Sequence, residues 1–105
     1  MTETYDVTIP VLVAISQLPG ACFWRQNCGL FLTLDGKRHV HATSQDGLGD
    51  IMGAYFGRPV CVETKPRRGK QRKSQVIFQK NWERAGGVYI IARSPEEAVG
   101  ALLAL

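Results

Sequence analysis

The sequence predicts an α/β domain with a central mixed sheet flanked by helices, on three observations. A helix-like apolar segment opens the readable pattern, and short strand-like runs separated by glycine-containing turns follow it. A second helical pattern then leads into a wholly apolar run of five residues, "VYIIA" at 88–92, which suits a strand in the middle of a sheet. A capped helix comes last. The order is α, a meander of strands, α, β, α. A length of 105 residues corresponds to one domain, 1–105.

Residues 8–18, "TIPVLVAISQL", read as the first helix, with a strand as the alternative because of their β-branched content. Thr8 is placed to cap it, Pro10 fits the first turn, and Pro19-Gly20 stops it. Strands are predicted at 22–27 ("CFWRQN") and 30–34 ("LFLTL"). Asp35-Gly36 supplies the positive φ of a hairpin turn, so that "RHVHAT" at 38–43 returns antiparallel. After a loop at 44–49, a strand runs over 50–56, Gly57-Arg58 turns the chain, and a strand begins at Pro59 and continues through Thr64. A helix over 74–85 places Gln75, Phe78, Gln79 and Trp82 on one face, and Gly86-Gly87 ends it. Ser94 and Glu97 have capping-box spacing ahead of the last helix, with Pro95 at its first position.

Composition narrows the function classes. At 45% hydrophobic and 21% charged residues the chain has the balance of a soluble globular domain. No apolar run approaches the roughly 20 residues that span a bilayer, so no membrane partner is expected. The first residues lack the basic, apolar and small-residue pattern of an export signal, and a cytoplasmic setting is expected. Cys22, Cys28 and Cys61 have no disulfide-framework spacing, and Cys61 reads as a small buried hydrophobe. A domain this small leaves about a third of its chain surface exposed, which makes a homodimer a natural assembly.

Charge is concentrated. The formal net charge is +4, yet residues 65–73, "KPRRGKQRK", hold six of the thirteen cations and no acid. The rest of the chain carries seven cations against nine acids. A dense basic segment on an otherwise mildly acidic protein suits a polyanion, whose condensed counterions are released when its phosphates are neutralised. Its alternative is a solvated charge run without a partner.

The segment before it carries the candidate chemistry. Alternation from Pro59 puts Cys61, Glu63 and Lys65 on one face and Val60, Val62 and Thr64 on the other. A hairpin centred near residue 57 brings Asp50 opposite the 63–65 region. Two carboxylates close together repel unless a divalent cation neutralises them, and hard oxygen ligands suit Mg²⁺ or Mn²⁺. Asp50, Glu63 and the backbone carbonyl of Thr64 are the candidate metal ligands. Lys65 is placed to hold an attacking water or to stabilise charge developing on a phosphoryl group. A surface Glu-Lys pair of little energetic consequence is the competing reading.

These residues resemble the Asp…Glu-x-Lys signature of the PD-(D/E)XK nucleases, in "GLGD" at 47–50 and "ETK" at 63–65. More narrowly, the chain resembles the small VRR-NUC (virus-type replication-repair nuclease) domains. Supporting stretches are "FWRQNCG" at 23–29, "GDIMG" at 49–53, "GRPVCVETK" at 57–65, Gln75, and "AGGVYIIARSPEEA" at 85–98. The resemblance implies a restriction-endonuclease-like core and a metal-dependent DNA endonuclease of bacterial or phage origin. It further implies that a homodimer cuts branched DNA such as four-way junctions. Asp50 and Glu63 would hold Mg²⁺ or Mn²⁺, Lys65 would be the catalytic lysine, and Gln75 matches the family's helix glutamine. Arg25 and Asn27 match a Trp-Arg-x-Asn element and join Arg67, Arg68, Lys70, Arg72 and Lys73 as candidate DNA contacts. One departure stands out: the family's first-helix glutamate has no counterpart in "TIPVLVAI", where the nearest acids are Glu3 and Asp6.

Other signals are weaker. His39 and His41 share a strand face but have no cysteine pair at zinc spacing nearby, so a packed or solvated pair is expected. Trp24 and Trp82 read as core aromatics. The glycines of "DGLGD" do not lead from a strand into a helix, and so do not mark a dinucleotide cradle. Two rivals to the nuclease remain: a non-catalytic nucleic-acid-binding module, and a structural protein whose basic loop contacts an acidic partner.

Overall fold

The structure is a computed structural model, and it describes residues 7–26, 30–32, 37, 39–41 and 50–105. The elements are α1 (Ile9–Ser16), β1 (Ala21–Arg25), β2 (Leu30–Leu32), β3 (His39–His41), β4 (Ile51–Tyr55), β5 (Arg58–Thr64), α2 (Lys73–Arg84), β6 (Val88–Ala92) and α3 (Pro95–Leu103). They form the expected α/β domain with a mixed sheet. Its four strands lie in the order β1-β4-β5-β6, with β5 and β6 parallel and the other pairs antiparallel.

Two expectations about strand order need correction. The strands are not one meander, because β2 and β3 pair antiparallel in a separate two-stranded sheet. β4 already has β1 on one side, from Ala21↔Tyr55 to Arg25↔Ile51, and β5 on the other. Both of its edges are filled, so β3 does not pair with it, and β2 and β3 pair with each other. The "VYIIA" strand, β6, lies at the edge of the sheet rather than in its middle. It is apolar throughout because helices cover both of its faces. Ile90 and Ala92 pack with α1 and α3, and Tyr89 packs with Phe78 of α2.

The core is divided by the sheet. On one face, Val11 and Ile15 of α1 and Ala98 and Leu102 of α3 bury Ile51, Val60, Val62, Ile90 and Ala92. On the other, Phe78 and Trp82 of α2 cover Cys61, Tyr89, Met52 and Ile91. Phe78 and Trp82 are stacked, with ring centroids 5.7 Å apart. Cys61 is fully buried, in keeping with its reading as a small hydrophobe. Among the described residues no helix is long and apolar enough to cross a membrane.

Local signals set the element ends. Ser94 Oγ accepts from the Glu97 N–H at 3.1 Å, while Glu97 Oε1 accepts from the Arg93 N–H at 3.0 Å. Gly86, at φ 99°, ends α2 in the left-handed conformation, and the Gly87 N–H returns to the Trp82 carbonyl at 2.9 Å. Thr8 does not cap α1: it has helical dihedrals, and its hydroxyl is bonded elsewhere. The β4–β5 turn is centred on Phe56 and Gly57, one residue earlier than expected, and both have positive φ. That is the backbone of a type I′ hairpin, with Tyr55↔Arg58 as its closing pair. The predicted turn at Asp35-Gly36, the loop at 44–49, Cys28 and the departures Glu3 and Asp6 lie outside the described residues. So do the side chains of His39 and His41.

Trp24 is not a core aromatic. It is 52% exposed. α2 lies over the β5–β6 side of its face, and among the described residues no helix packs on Trp24.

Candidate functional site

The site is built at the C-terminal end of β5. Its register with β4 pairs Ile51 with Val62, so the next position outward sets Asp50 against Glu63. The hairpin fixes this alignment, since a one-residue slip would turn Val60 and Val62 out of the core. Asp50 is half-buried, and its Oδ2 accepts from the Thr64 N–H at 2.8 Å and from Thr64 Oγ1 at 3.0 Å. A hydroxyl has one proton to give. With that proton on Asp50, Thr64 Oγ1 accepts from Thr8 Oγ1 at 2.5 Å. This Thr8–Thr64–Asp50 chain ties the lead-in to α1 to the ends of β4 and β5.

Glu63 is fully buried. Its Oε1 accepts from the Tyr89 hydroxyl and from Gln71 Nε2, the latter at 3.0 Å. Its Oε2 has no hydrogen bond, and Lys65 Nζ lies 3.5 Å from it in an ion pair. Burying a carboxylate is costly unless it is hydrogen-bonded and charge-compensated. Here one oxygen is saturated by neutral donors and the other faces a cation. Gln71 also donates to Gln79 Oε1 at 2.9 Å, which links the loop to α2.

Glu63 Oε2 and Asp50 are hard oxygen donors of the kind a divalent cation takes. Glu63 Oε2 is buried without a hydrogen bond and faces Lys65, and Mg²⁺ needs only one or two carboxylates because it keeps several waters. Glu63 Oε2 and Asp50 would hold it. Among the described residues there is no group of three His, Cys, Asp or Glu side chains that could do so.

Tyr89 stays protonated far above the usual range, because burial disfavours the phenolate and the hydrogen bond to Glu63 fixes the proton. A raised folded-state value means that this contribution to stability is complete below the unfolded tyrosine value of about 10 and is lost as pH rises beyond it. Urea midpoints from about pH 9 to 11 are expected to fall in wild type, and to fall less steeply in Tyr89→Phe.

The remaining predicted residues separate into three groups. Arg67, Arg68, Lys70, Arg72 and Lys73 are all exposed, and none forms an ion pair with a described residue. The loop beneath them is held in shape: the Gly69 N–H donates to the Pro66 carbonyl, and Arg93 Nη2 donates to the Gly69 carbonyl at 2.9 Å. Gln75 is buried, and its Oε1 accepts the Arg72 N–H at 2.8 Å, so it satisfies the start of α2. Gln75→Ala is therefore expected to lower stability by about 1 kcal/mol in thermal denaturation. If Gln75 also touches substrate, that variant will lose cleavage beyond what its stability explains. Arg25 is exposed on β1, and Asn27 lies outside the described residues.

Sequence reasoning missed Tyr89, Gln71, Thr8 and Arg93. Tyr89 left one trace, as the lone polar atom in an otherwise apolar run. Gln71 was hidden inside the basic segment.

No protein-family model matches the chain, and no curated protein is significantly similar to it.

Proposed function

We propose that this protein is a divalent-metal-dependent endonuclease that hydrolyses DNA phosphodiester bonds, acting as a homodimer on branched DNA such as four-way junctions. The observation that carries the reading is the buried Glu63 carboxylate. It has one oxygen saturated and one facing Lys65, with Asp50 in register beside it and the exposed basic loop starting at the same strand end. The PD-(D/E)XK resemblance supports the same roles: Asp50 and Glu63 as ligands, Lys65 as the catalytic lysine.

The chain's own residues divide the work. Tyr89 and Gln71 hold Glu63 Oε1, which fixes the plane of the carboxylate and directs Oε2 toward Lys65. Thr64 fixes Asp50 through two hydrogen bonds. A bound Mg²⁺ or Mn²⁺ would polarise a phosphoryl oxygen and lower the pKa of water. Lys65, with a side chain 12% exposed, reaches solvent at the mouth of the site, where its ammonium can orient a water or stabilise phosphoryl charge. Arg67, Arg68, Lys70, Arg72 and Lys73 attract and hold the DNA backbone.

The second reading is a binding module without catalysis, and one observation favours it. Glu63 is already compensated by Lys65, Tyr89 and Gln71, so the site is stable without a metal. Labelled junction and duplex DNA incubated with Mg²⁺, Mn²⁺ or EDTA separates the two. Cleavage in metal alone is expected. Intact DNA in every lane, with retained binding in EDTA, would replace the nuclease by the binding module.

A further inference from the structure

Trp24 is the unexplained feature of the face that carries Glu63. The register aligns Trp24, Met52, Cys61 and Tyr89 across the four strands, so their side chains share a face. Glu63 lies two residues beyond Cys61 on that face. Two interstrand spacings and one two-residue step separate Trp24 from Glu63, about 12 Å between Cα atoms. The C-terminal end of β1 lies at the same edge of the sheet as the C-terminal end of β5, where the basic loop begins.

Trp24 is 52% exposed, and its indole has a hydrogen-bond partner on its own strand end. Its Nε1–H donates to Gln26 Oε1 at 3.1 Å, two residues on, where the chain is held by the Gln26 N–H bond to the Asp50 carbonyl at 2.7 Å. Half-exposed indoles with a satisfied N–H offer an apolar ring face to a flat partner. The strip of sheet beneath is bounded on its far side by α2, and Gln71 of the acid-free loop reaches Glu63 at the strip's end. An acid-free run of cations beside an open aromatic is the chemistry that binds a single nucleic-acid strand, with phosphates on the cations and a base on the ring.

We propose that Trp24 is a stacking platform for an unpaired nucleobase, on a strand whose phosphates are held by residues 65–73. The bases of an intact duplex are stacked on one another and do not reach such a ring, so the platform selects unpaired or branch-point nucleotides. This rests on reading the basic loop as a phosphate-binding element, and it is independent of whether the site cleaves.

The test uses intrinsic fluorescence, because the chain has two tryptophans and Trp82 is fixed by its Nε1–H bond to the Val88 carbonyl and by Phe78. In EDTA, a short oligothymidylate is expected to quench emission in wild type and in Trp82→Phe. Trp24→Leu should bind it about tenfold more weakly, without quenching. An abasic oligonucleotide of equal phosphate count should bind wild type and Trp24→Leu alike, again without quenching, and Trp24→Phe should fall between Leu and wild type. Equal oligothymidylate binding by wild type and Trp24→Leu would overturn the platform while leaving the phosphate-binding loop in place. Failure of wild type to bind either oligonucleotide would remove both. Emission that shifts with protein concentration without nucleic acid, and does not shift in Trp24→Leu, would assign the face to a second copy of the chain and overturn the proposal.

Discussion

Lys65→Ala is expected to lower metal-dependent DNA cleavage by about 10²–10³-fold, the loss typical of removing one preorganised group that stabilises charge in the transition state. The same change should weaken the metal-free protein by about 3 kcal/mol, because it strands the fully buried Glu63 carboxylate without its cation. The two effects have opposite responses to metal. Mn²⁺ bound at Glu63 would restore the missing charge, so its stabilisation of Lys65→Ala in thermal denaturation should exceed that of wild type, while cleavage stays low. A variant that cleaves like wild type removes Lys65 from the mechanism. A variant with unchanged stability shows instead that the Lys65–Glu63 pair makes no net contribution.

Replacing Arg67, Arg68, Lys70, Arg72 and Lys73 together by glutamine is expected to reduce duplex binding by several powers of ten at low salt. It should also flatten the salt dependence of log K by up to about 4.5, at about 0.9 for each phosphate no longer neutralised. The fold should survive. All five side chains are exposed, Gln75 caps α2 through the Arg72 backbone N–H rather than its guanidinium, and Arg93 holds the loop through a backbone carbonyl. Binding measured between 50 and 200 mM salt gives both quantities, and circular dichroism checks the fold. An unchanged salt slope would identify the segment as a solvated charge run, and would move the search for a partner to an acidic protein.

The elements were legible wherever their signals are local. Ser94, Pro95 and Glu97 mark a helix start within four residues, Gly86 marks a helix end, and Gly57 sits in a two-residue turn. The approach of Asp50 to residues 63–65 follows from the same hairpin. The expected turn at Gly57-Arg58 would set Asp50 against Lys65, and the observed turn at Phe56-Gly57 sets it against Glu63. The cation density of 65–73 needs no structure at all.

Strand order and burial were not legible in that way. Whether "VYIIA" lies in the middle or at the edge depends on what pairs with its far side, and no pattern within five residues carries that information. Apolar residues on both faces say only that both faces are covered. Trp24 illustrates the converse, since hydrophobicity predicts burial only if some other segment arrives to cover the face, and α2 lies toward β6. The network around Glu63 joins residues 63, 71 and 89 from a strand, a loop and a second strand.

By itself, then, the sequence determined most of the kinds of element, the ends marked by Ser94 and Gly86, the approach of Asp50 to residues 63–65 and the position of the charge, because each is governed by backbone geometry over a few residues. The tertiary structure alone decided which edge stayed open, which tryptophan was left in solvent, and which donors closed around Glu63. Those depend on contacts between segments far apart in the chain, where packing and the demand of a buried carboxylate for partners choose among arrangements that local patterns leave equal.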